Sequence, residues 1–553
     1  MRAAVGEQSG GARDTSARTP ATSVDLSAGR GAGVSGRVSV LFPPGADGLP
    51  DRSVAGRPAS SDTLKDLALD GVVERVAGAV APELRDVLAT PLTDERAVRY
   101  RQAVVVDLRE PQVRAAVGAF DEQMRLVAAR RGSAVAARSA HQRVLWLCHA
   151  AAGYVAAVDR LATDLAQAVA ERRASSPAMT AFAEHVARYQ RGTAFGGLRD
   201  HTARVEAGLA EARYAVWLRG PKITVAPPGD EPDLQQLVLE TFERFRQQSR
   251  AAHGRSVSAG PDLDHVQAQI LDRVALLLPD LFADAAALAD AAAAQVPDPT
   301  ITAVSDELAV YVAYLDLVAP AERAGLPTCL PEVSSGSKEM SVRDAWDLPL
   351  GLDLVADRLP VVTNDLELRG PERVLVVSGP NQGGKTTTAR TFGQLHHLAA
   401  VGLPVAGRDA RLMLADQVLT VFEREETSAE LDGRLGGELV RVHRVLDGLT
   451  PRTVVVLNEV FASTAVEDAR FLGREVLERL IAADVPTVLV TFVDELSRLG
   501  PATVSMVSLV DPDDPTVRTL KVVRRAADGR AYADALATRY GLSHDRIVAR
   551  VVR

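Results

Sequence analysis

The chain has 553 residues, of which 47% are hydrophobic and 24% charged, the proportions of a globular protein with a large core. Its formal net charge of -9 excludes an overall basic surface, so any contact with nucleic acid requires a local patch. Two cysteines are too few for a disulfide framework or a zinc site, and the expected lack of a signal peptide and of any membrane span predicts a cytoplasmic protein.

The N-terminal and middle parts of the chain divide into a tail and a helical region. Residues 1–37 are rich in Gly, Ala, Ser, Thr and Arg without periodic apolar positions, which is typical of a disordered tail. From about Ser60 to Glu211, apolar residues recur at three- and four-residue spacing, as in Leu64, Leu67 and Val155. We therefore expect residues 38–340 to form a long helical core and lever region.

A small β insertion is predicted near residues 212–230 within this region. Two β-rich runs flank Arg219-Gly220-Pro221-Lys222, a pattern that favours a hairpin. Helical periodicity then returns at Leu234 and continues to about Ala324. Beyond about Ser341, strands alternate with helices, which predicts a mostly parallel sheet in a third domain of residues 341–553.

A phosphate-binding motif lies between a buried strand and a helix start in this third domain. The sequence from Gly379 to Thr386 matches G-x-x-x-x-G-K-[ST], although a glycine-rich turn with an accidental Lys-Thr is the alternative. Backbone amides and the helix N-terminus would hold phosphate oxygens, Lys385 would reach the β- and γ-phosphates, and the Thr386 hydroxyl would bind Mg²⁺. The predicted ATP-binding residues are Gly379, Pro380, Asn381, Gln382, Gly383, Gly384, Lys385, Thr386 and Thr387.

A second apolar strand, residues 453–457, ends in Asn458-Glu459 about 70 residues after the phosphate loop. This is where a P-loop ATPase presents a magnesium-side carboxylate and a catalytic glutamate. Glu459 is the predicted catalytic residue, since it could orient or deprotonate the attacking water. Asn458 is predicted on the metal side, where an amide oxygen without the usual charge would make turnover slow.

The order of these features resembles the MutS family of DNA mismatch-repair ATPases. GPNQGGKTT is similar to that family's GPNMGGKST, and Asn364-Asp365 resembles its strand turn before the loop. NEVFASTAVEDA resembles its Walker B segment, with Thr464 and Asp468 in register, and the residues from Asp528 to Leu542 resemble the end of its ATPase domain. The resemblance covers residues 340–553 well and 60–340 loosely.

The resemblance implies a multidomain protein in which a helical core and lever region precedes a C-terminal α/β P-loop ATPase domain of ABC/MutS type. It further implies ATP and Mg²⁺ as cofactors, a homodimer formed through the ATPase domains, and double-stranded DNA, mismatched or branched, as partner. A partner's 428–438 loop would complete the nucleotide site.

Several positions depart from the family pattern. Asn458 replaces the Walker B aspartate, Phe492 replaces a histidine, and Gly433 lies near the position of the signature-loop serine. We also expect the N-terminal mismatch-reading domain to be absent. Phe120-Asp121-Glu122 and Phe182-Ala183-Glu184 match the letters of its Phe-x-Glu wedge, but only within helical patterns, and we interpret them as ordinary helix positions.

Three functional hypotheses follow. The first is a MutS-like ATPase acting on mismatched or otherwise irregular DNA, whose local basic patch would lie around the β insertion, at Arg219, Lys222, Arg244, Arg246, Arg250 and Arg255. The second is a nucleotide-dependent clamp or scaffold that binds ATP with little hydrolysis and acts through a protein partner. The third, a transporter ATPase, is disfavoured by the long helical region and the missing Leu-Ser-Gly-Gly-Gln signature.

Overall fold

The computed structural model describes residues 38–219, 222–229, 265–423, 433–511, 514 and 517–527. Four sets of predicted positions lie outside these residues: the predicted tail, residues 428–432 of the 428–438 loop, the segment from Asp528 to Leu542, and the cations Arg244, Arg246, Arg250 and Arg255. Contacts group Val38–Arg553 as one compact unit. The described part is mostly helical and ends in a domain with mixed sheets.

Helices dominate the described residues up to residue 323. Five of the described helices begin at polar caps: the side chains of Ser60, Asp94, Ser139, Ser176 and Asp298 accept hydrogen bonds from first-turn amides. The α-helices described in this part are α1 (Ser61–Asp66), α2 (Asp70–Ala77), α3 (Glu95–Arg109), α4 (Pro111–Val135), α5 (Ala140–Ala170), α6 (Pro177–Gln190), α7 (Thr193–Glu211), α8 (His265–Leu277), α9 (Pro279–Gln295) and α10 (Pro299–Arg323).

The predicted β insertion is present as an antiparallel hairpin of β1 (Ala215–Arg219) and β2 (Lys222–Ala226) between α7 and α8. The two Phe-x-Glu matches are ordinary helix positions, as expected. Phe120 in α4 is 4% exposed and Phe182 in α6 is 1% exposed, and both belong to the main hydrophobic core.

The C-terminal part contains two larger sheets and a two-stranded ladder. Strands start at Thr328, earlier than the expected start near residue 341. The first two strands are too short to show an alternating pattern in the sequence, and they form by pairing with strands that come later in the chain. The division into domains at residue 340 stays a prediction. The remaining elements are β3 (Thr328–Cys329), β4 (Glu332–Ser334), β5 (Met340–Ala345), α11 (Leu348–Ala356), β6 (Asn364–Leu368), β7 (Val374–Ser378), α12 (Lys385–Val401), β8 (Val405–Ala406), β9 (Arg408–Met413), β10 (Gln417–Phe422), α13 (Gly433–Asp447), β11 (Thr453–Asn458), α14 (Val466–Ala482), β12 (Thr487–Val490), β13 (Thr503–Val510) and β14 (Arg518–Arg524).

The six-stranded sheet positions the candidate site. Its order is β10-β11-β12-β7-β13-β14, parallel except for β14, which agrees with the mostly parallel sheet predicted from the sequence. The second sheet, β4-β9-β5-β6, is mixed. Strand β7 is buried on both faces: Leu375 and Val377 join the core shared with the helices, and Val374 and Val376 join a second core. Parallel strands buried on both faces place their carboxyl ends together at one edge.

Helix α5 needs separate mention, because the sequence led us to expect no segment of the length of a membrane span. Among the described residues, this helix is long and apolar enough to cross a membrane by length and composition, and half of its most apolar stretch is buried inside the protein. Tyr154, Val158, Leu161 and Leu165 lie in the main core. A helix buried in a protein core can have the same length and apolar composition as a membrane span.

Candidate nucleotide-binding site

The phosphate loop connects the buried strand β7 to the start of α12, at the carboxyl edge of the parallel sheet. Gly384 is the N-cap of α12 and has φ +88°, a conformation that residues with a Cβ rarely adopt. A Cβ on Gly383 would lie 2.1 Å from the Oγ of Ser508 in β13. That hydroxyl donates to the Gly383 carbonyl at 2.6 Å. Gly384 is therefore required by its backbone conformation, and Gly383 by the close approach of Ser508.

Lys385 extends over this loop. Its Nζ donates to the Gly379 carbonyl at 2.9 Å and to Asn381 Oδ1 at 3.0 Å, and lies 3.9 Å from Glu459 Oε1. Burial lowers the pKa of Lys385, the Glu459 carboxylate opposes this shift, and the charge of Arg518 adds to it. The ammonium group is thus held at the loop by oxygen acceptors of the kind that a phosphate presents.

Glu459 follows the end of β11 and faces the same cleft. The Glu459 amide donates to the Val490 carbonyl at 3.0 Å, and the residue has a positive φ of 55°. This bend turns the chain away from the sheet edge, and the Glu459 side chain stays 35% exposed. A carboxylate so placed can accept a proton from a water molecule in the cleft.

Asn458 is the last residue of β11 and is 6% exposed. Its Oδ1 is buried without a hydrogen-bond partner among the described residues. A buried oxygen acceptor without a donor carries a desolvation cost, which a hard cation or one of its water ligands would relieve. The chain therefore fits Mg²⁺, with Asn458 and the Thr386 hydroxyl as the residues that would hold it.

A cleft of about 420 Å³ opens over the loop. Its polar lining includes Asn381, Gln382, Gly384, Lys385, Thr386, Thr387 and Glu459. Its apolar lining includes Leu350, Leu354, Pro360, Val361, Val362 and Leu520. A cleft with phosphate-binding groups and apolar side chains has the two surfaces that a nucleotide presents.

The structure adds residues that the sequence motifs did not indicate. Ser508 packs against the loop, Leu520 lines the cleft, and Arg518 Nε donates to the Asn381 carbonyl at 3.2 Å. These residues belong to β13 and β14, far along the chain from Lys385. Only the pairing of β13 with β7 and of β14 with β13 brings them to the loop.

Other predicted positions lie around this site or apart from it. The Thr464 hydroxyl and Asp468 Oδ2 are 3.4 Å apart at the start of α14, and Phe492 after β12 is 48% exposed. Asn364 holds the cleft wall in place, since its Oδ1 accepts from the Val522 amide at 2.8 Å. Arg219 and Lys222 lie in the β1–β2 hairpin and are not part of this site.

The comparisons with known proteins agree with this geometry. Residues 375–548 match the family model for MutS domain V. The chain carries a MutS-family domain. Domain V is the ATPase domain of the MutS family, so the resemblance stated from the motifs is confirmed.

MutS-family relatives match the chain over part of their length. The chain is 29% identical over 232 residues to endonuclease MutS2 of Leuconostoc mesenteroides, covering 41% of this chain and 28% of the relative. It is 30% identical over 189 residues to endonuclease MutS2 of Thermus thermophilus, covering 33% and 25%. It is 28% identical over 196 residues to DNA mismatch repair protein MutS of Shouchella clausii, covering 34% and 22%. The matches thus span about a quarter of each relative.

Proposed function

We propose that this MutS-like chain binds ATP and Mg²⁺ at the phosphate loop, hydrolyses ATP through Glu459, and couples the nucleotide state to DNA binding in repair or genome maintenance. The observation that carries the proposal is that Lys385 and Glu459 line one cleft and lie 3.9 Å apart, at the sheet edge where β11 ends in Asn458. The nucleotide-binding residues are those of the loop from Gly379 to Thr387.

The chain's own groups account for the hydrolysis steps. Lys385 would exchange its contacts with Gly379 and Asn381 for oxygens of the β- and γ-phosphates, and so stabilise charge that develops there. Glu459 would orient the attacking water and take its proton. Mg²⁺, when bound, would neutralise part of the phosphate charge. The apolar wall around Val361 and Leu520 would hold the base and restrict water in the cleft.

The DNA part of the proposal has separate support. MutS-family proteins bind DNA and typically dimerise. We propose double-stranded DNA, mismatched or branched, as the partner of this chain, with a homodimer formed through the ATPase domains. A partner's 428–438 segment would complete the site; residues 428–432 lie outside the described residues, and residues 433–438 form the start of α13. A cytoplasmic location remains a prediction.

One observation favours a second function. Asn458 supplies an uncharged oxygen where a P-loop ATPase usually presents a carboxylate, and a hard cation prefers charge. A site with this residue binds nucleotide with weaker metal retention and slower turnover. The chain would then act as a nucleotide-dependent clamp or scaffold through a protein partner.

Turnover measured with defined DNAs separates the two functions. ATPase rates are compared without DNA and with mismatched, branched, single-stranded and perfectly paired oligonucleotides. A rate that rises with mismatched or branched DNA supports the ATPase proposal. ATP binding with a rate that is negligible under all five conditions supports the clamp and contradicts the ATPase proposal.

A further inference from the structure

Helix α13 carries a buried carboxylate on the face that packs into the protein. Its buried residues Glu438, Val442 and Val445 follow each other at four- and three-residue spacing and so share one face of the helix. Val442 and Val445 belong to the second core, which Val374 and Val376 of β7 also join. Glu438 is 2% exposed on this face, and a carboxylate withdrawn from water carries a desolvation cost that requires hydrogen-bond donors.

The Glu438 carboxylate holds the main chain just beyond the candidate base. Its Oε2 accepts a hydrogen bond from the Phe461 amide at 2.9 Å. Phe461 lies two residues beyond Glu459, and its side chain is 1% exposed in the second core. A direct hydrogen bond therefore joins α13 to the segment that carries Glu459.

The main chain from Glu459 to Phe461 has an unusual conformation. Glu459 has φ 55° and Phe461 has φ 63°, both in the left-handed region that residues with a Cβ rarely adopt. Such a conformation persists only where its surroundings fix it. The Glu459 amide donates to the Val490 carbonyl at 3.0 Å, and the Phe461 amide donates to Glu438. These two bonds hold the bend from which the Glu459 side chain faces the cleft.

We propose that Glu438 is a positioning residue that holds the Glu459 carboxylate in the orientation required for hydrolysis. A general base must lie within hydrogen-bond reach of the proton that it takes, so a small rotation of residues 459–461 would separate it from the attacking water. Glu438 is not among the residues that line the cleft, and it therefore acts through Glu459 and not on the nucleotide. This inference rests on the proposed function, in which Glu459 is the base.

Three substitutions of Glu438 separate its hydrogen bond from its charge. Glu438→Leu fills the buried position without an acceptor, and Glu438→Asp keeps the charge on a side chain that is one methylene shorter. Both should lower the single-turnover rate of ATP hydrolysis at least about tenfold, while ATP affinity stays at the wild-type value. Glu438→Gln keeps a side-chain oxygen at the same reach and should retain the rate within about threefold.

A control in the same helix identifies a merely structural effect. Val445→Ala removes buried atoms two turns further along α13, and it should lower the midpoint of thermal unfolding while the hydrolysis rate stays at the wild-type value. Thermal unfolding also checks that the Glu438 variants fold. If Glu438→Leu does not fold, the comparison of Glu438→Asp with Glu438→Gln makes the same test.

A double variant tests whether Glu438 acts through Glu459. Adding Glu438→Leu to Glu459→Ala should leave the residual hydrolysis rate of Glu459→Ala unchanged, because the base that Glu438 positions is already lost. A further fall of about tenfold in that background would contradict the positioning role, since the two effects would then be independent.

Failure of this inference and failure of the proposed function give different results. Wild-type hydrolysis rates for Glu438→Leu and Glu438→Asp, together with a loss of hydrolysis in Glu459→Ala, contradict the positioning role alone. Wild-type hydrolysis by Glu459→Ala contradicts the proposed function and the inference with it.

Discussion

Lys385 is the single residue on which phosphate binding depends most directly. It is 6% exposed, and its ammonium group contacts two oxygens of the loop and lies near Glu459. Of the two described cations that donate to the loop, Lys385 is buried, whereas the contact of Arg518 is exposed. Phosphate recognition by this site therefore relies on one buried charge placed by the start of α12.

We expect Lys385→Ala to weaken ATP binding at least about tenfold, because a charge-assisted contact contributes about 1.5–3 kcal/mol. The exposed Lys65→Ala removes the same charge elsewhere and serves as the control. Calorimetric titration with ATP measures the affinity, and thermal unfolding checks that both variants fold. An affinity of Lys385→Ala equal to that of the control would remove the phosphate-loop assignment.

Asn458 determines how strongly the site depends on magnesium. Asn458→Asp adds a negative charge at a buried oxygen that has no partner among the described residues. We expect a lower Mg²⁺ concentration at half-maximal ATPase rate, with turnover level or increased. Repulsion between the adjacent carboxylates at 458 and 459 opposes the gain in rate. A Mg²⁺ titration of both proteins measures it, and identical half-saturation would show that residue 458 does not face the metal.

At the scale of elements, α12 connects the phosphate loop to the helical part of the chain. It begins at Lys385 beside the loop, and Arg101 of α3 donates to its last carbonyl, Val401, at 2.8 Å. Gln394 donates to the Leu67 carbonyl, and His397 lies 2.7 Å from the Leu88 carbonyl oxygen. Helix α12 thus joins the phosphate loop to the helical region through side-chain hydrogen bonds.

Helix α12 also makes stability depend on pH. Burial lowers the pKa of His396 from 6.5 to about 4, so the unfolded chain takes up the proton at higher pH than the folded one. The contribution of neutral His396 to the unfolding free energy is therefore fully present above about pH 6.5, and it is lost as the pH falls towards 4. At pH 5, protonation of His396 in the unfolded chain lowers the unfolding free energy by about 2 kcal/mol.

We expect the unfolding free energy of wild type to fall by about 2 kcal/mol more between pH 7 and pH 5 than that of His396→Leu. Chemical denaturation at both pH values measures this difference. His443→Leu, an exposed histidine in α13, is the matched control and should behave as wild type. Equal pH dependence in all three proteins would mean that His396 is not a buried neutral histidine.

The elements that the sequence predicts well are those with local signals. The loop and β11 are contiguous motifs, and the hairpin is marked by Gly220-Pro221 between two β-rich runs. Ser508 and Arg518 were missed because a nonlocal strand pairing, not a motif, brings them to Lys385. The two- and three-residue strands at Thr328 and Glu332 are too short to show periodicity, which is why the sheet region begins earlier than expected.

At the scale of the whole molecule, the helical part and the sheet part share one hydrophobic core. That core includes Val40, Leu161, Val310 and Leu375, which are far apart in sequence. It leaves β1–β2 exposed between α7 and α8, and the nucleotide cleft at the sheet edge. We propose that ATP bound in this cleft is hydrolysed with Glu459 as the base.

The most direct test measures ATP affinity and single-turnover hydrolysis side by side for wild type and Glu459→Gln. Glutamine keeps the shape of the side chain and loses the base, so binding should persist while hydrolysis falls by at least about a hundredfold. The variant should also accumulate as an ATP-bound dimer in size-exclusion chromatography. Wild-type hydrolysis by Glu459→Gln would contradict the account, assign Glu459 a structural role and favour the nucleotide-dependent clamp.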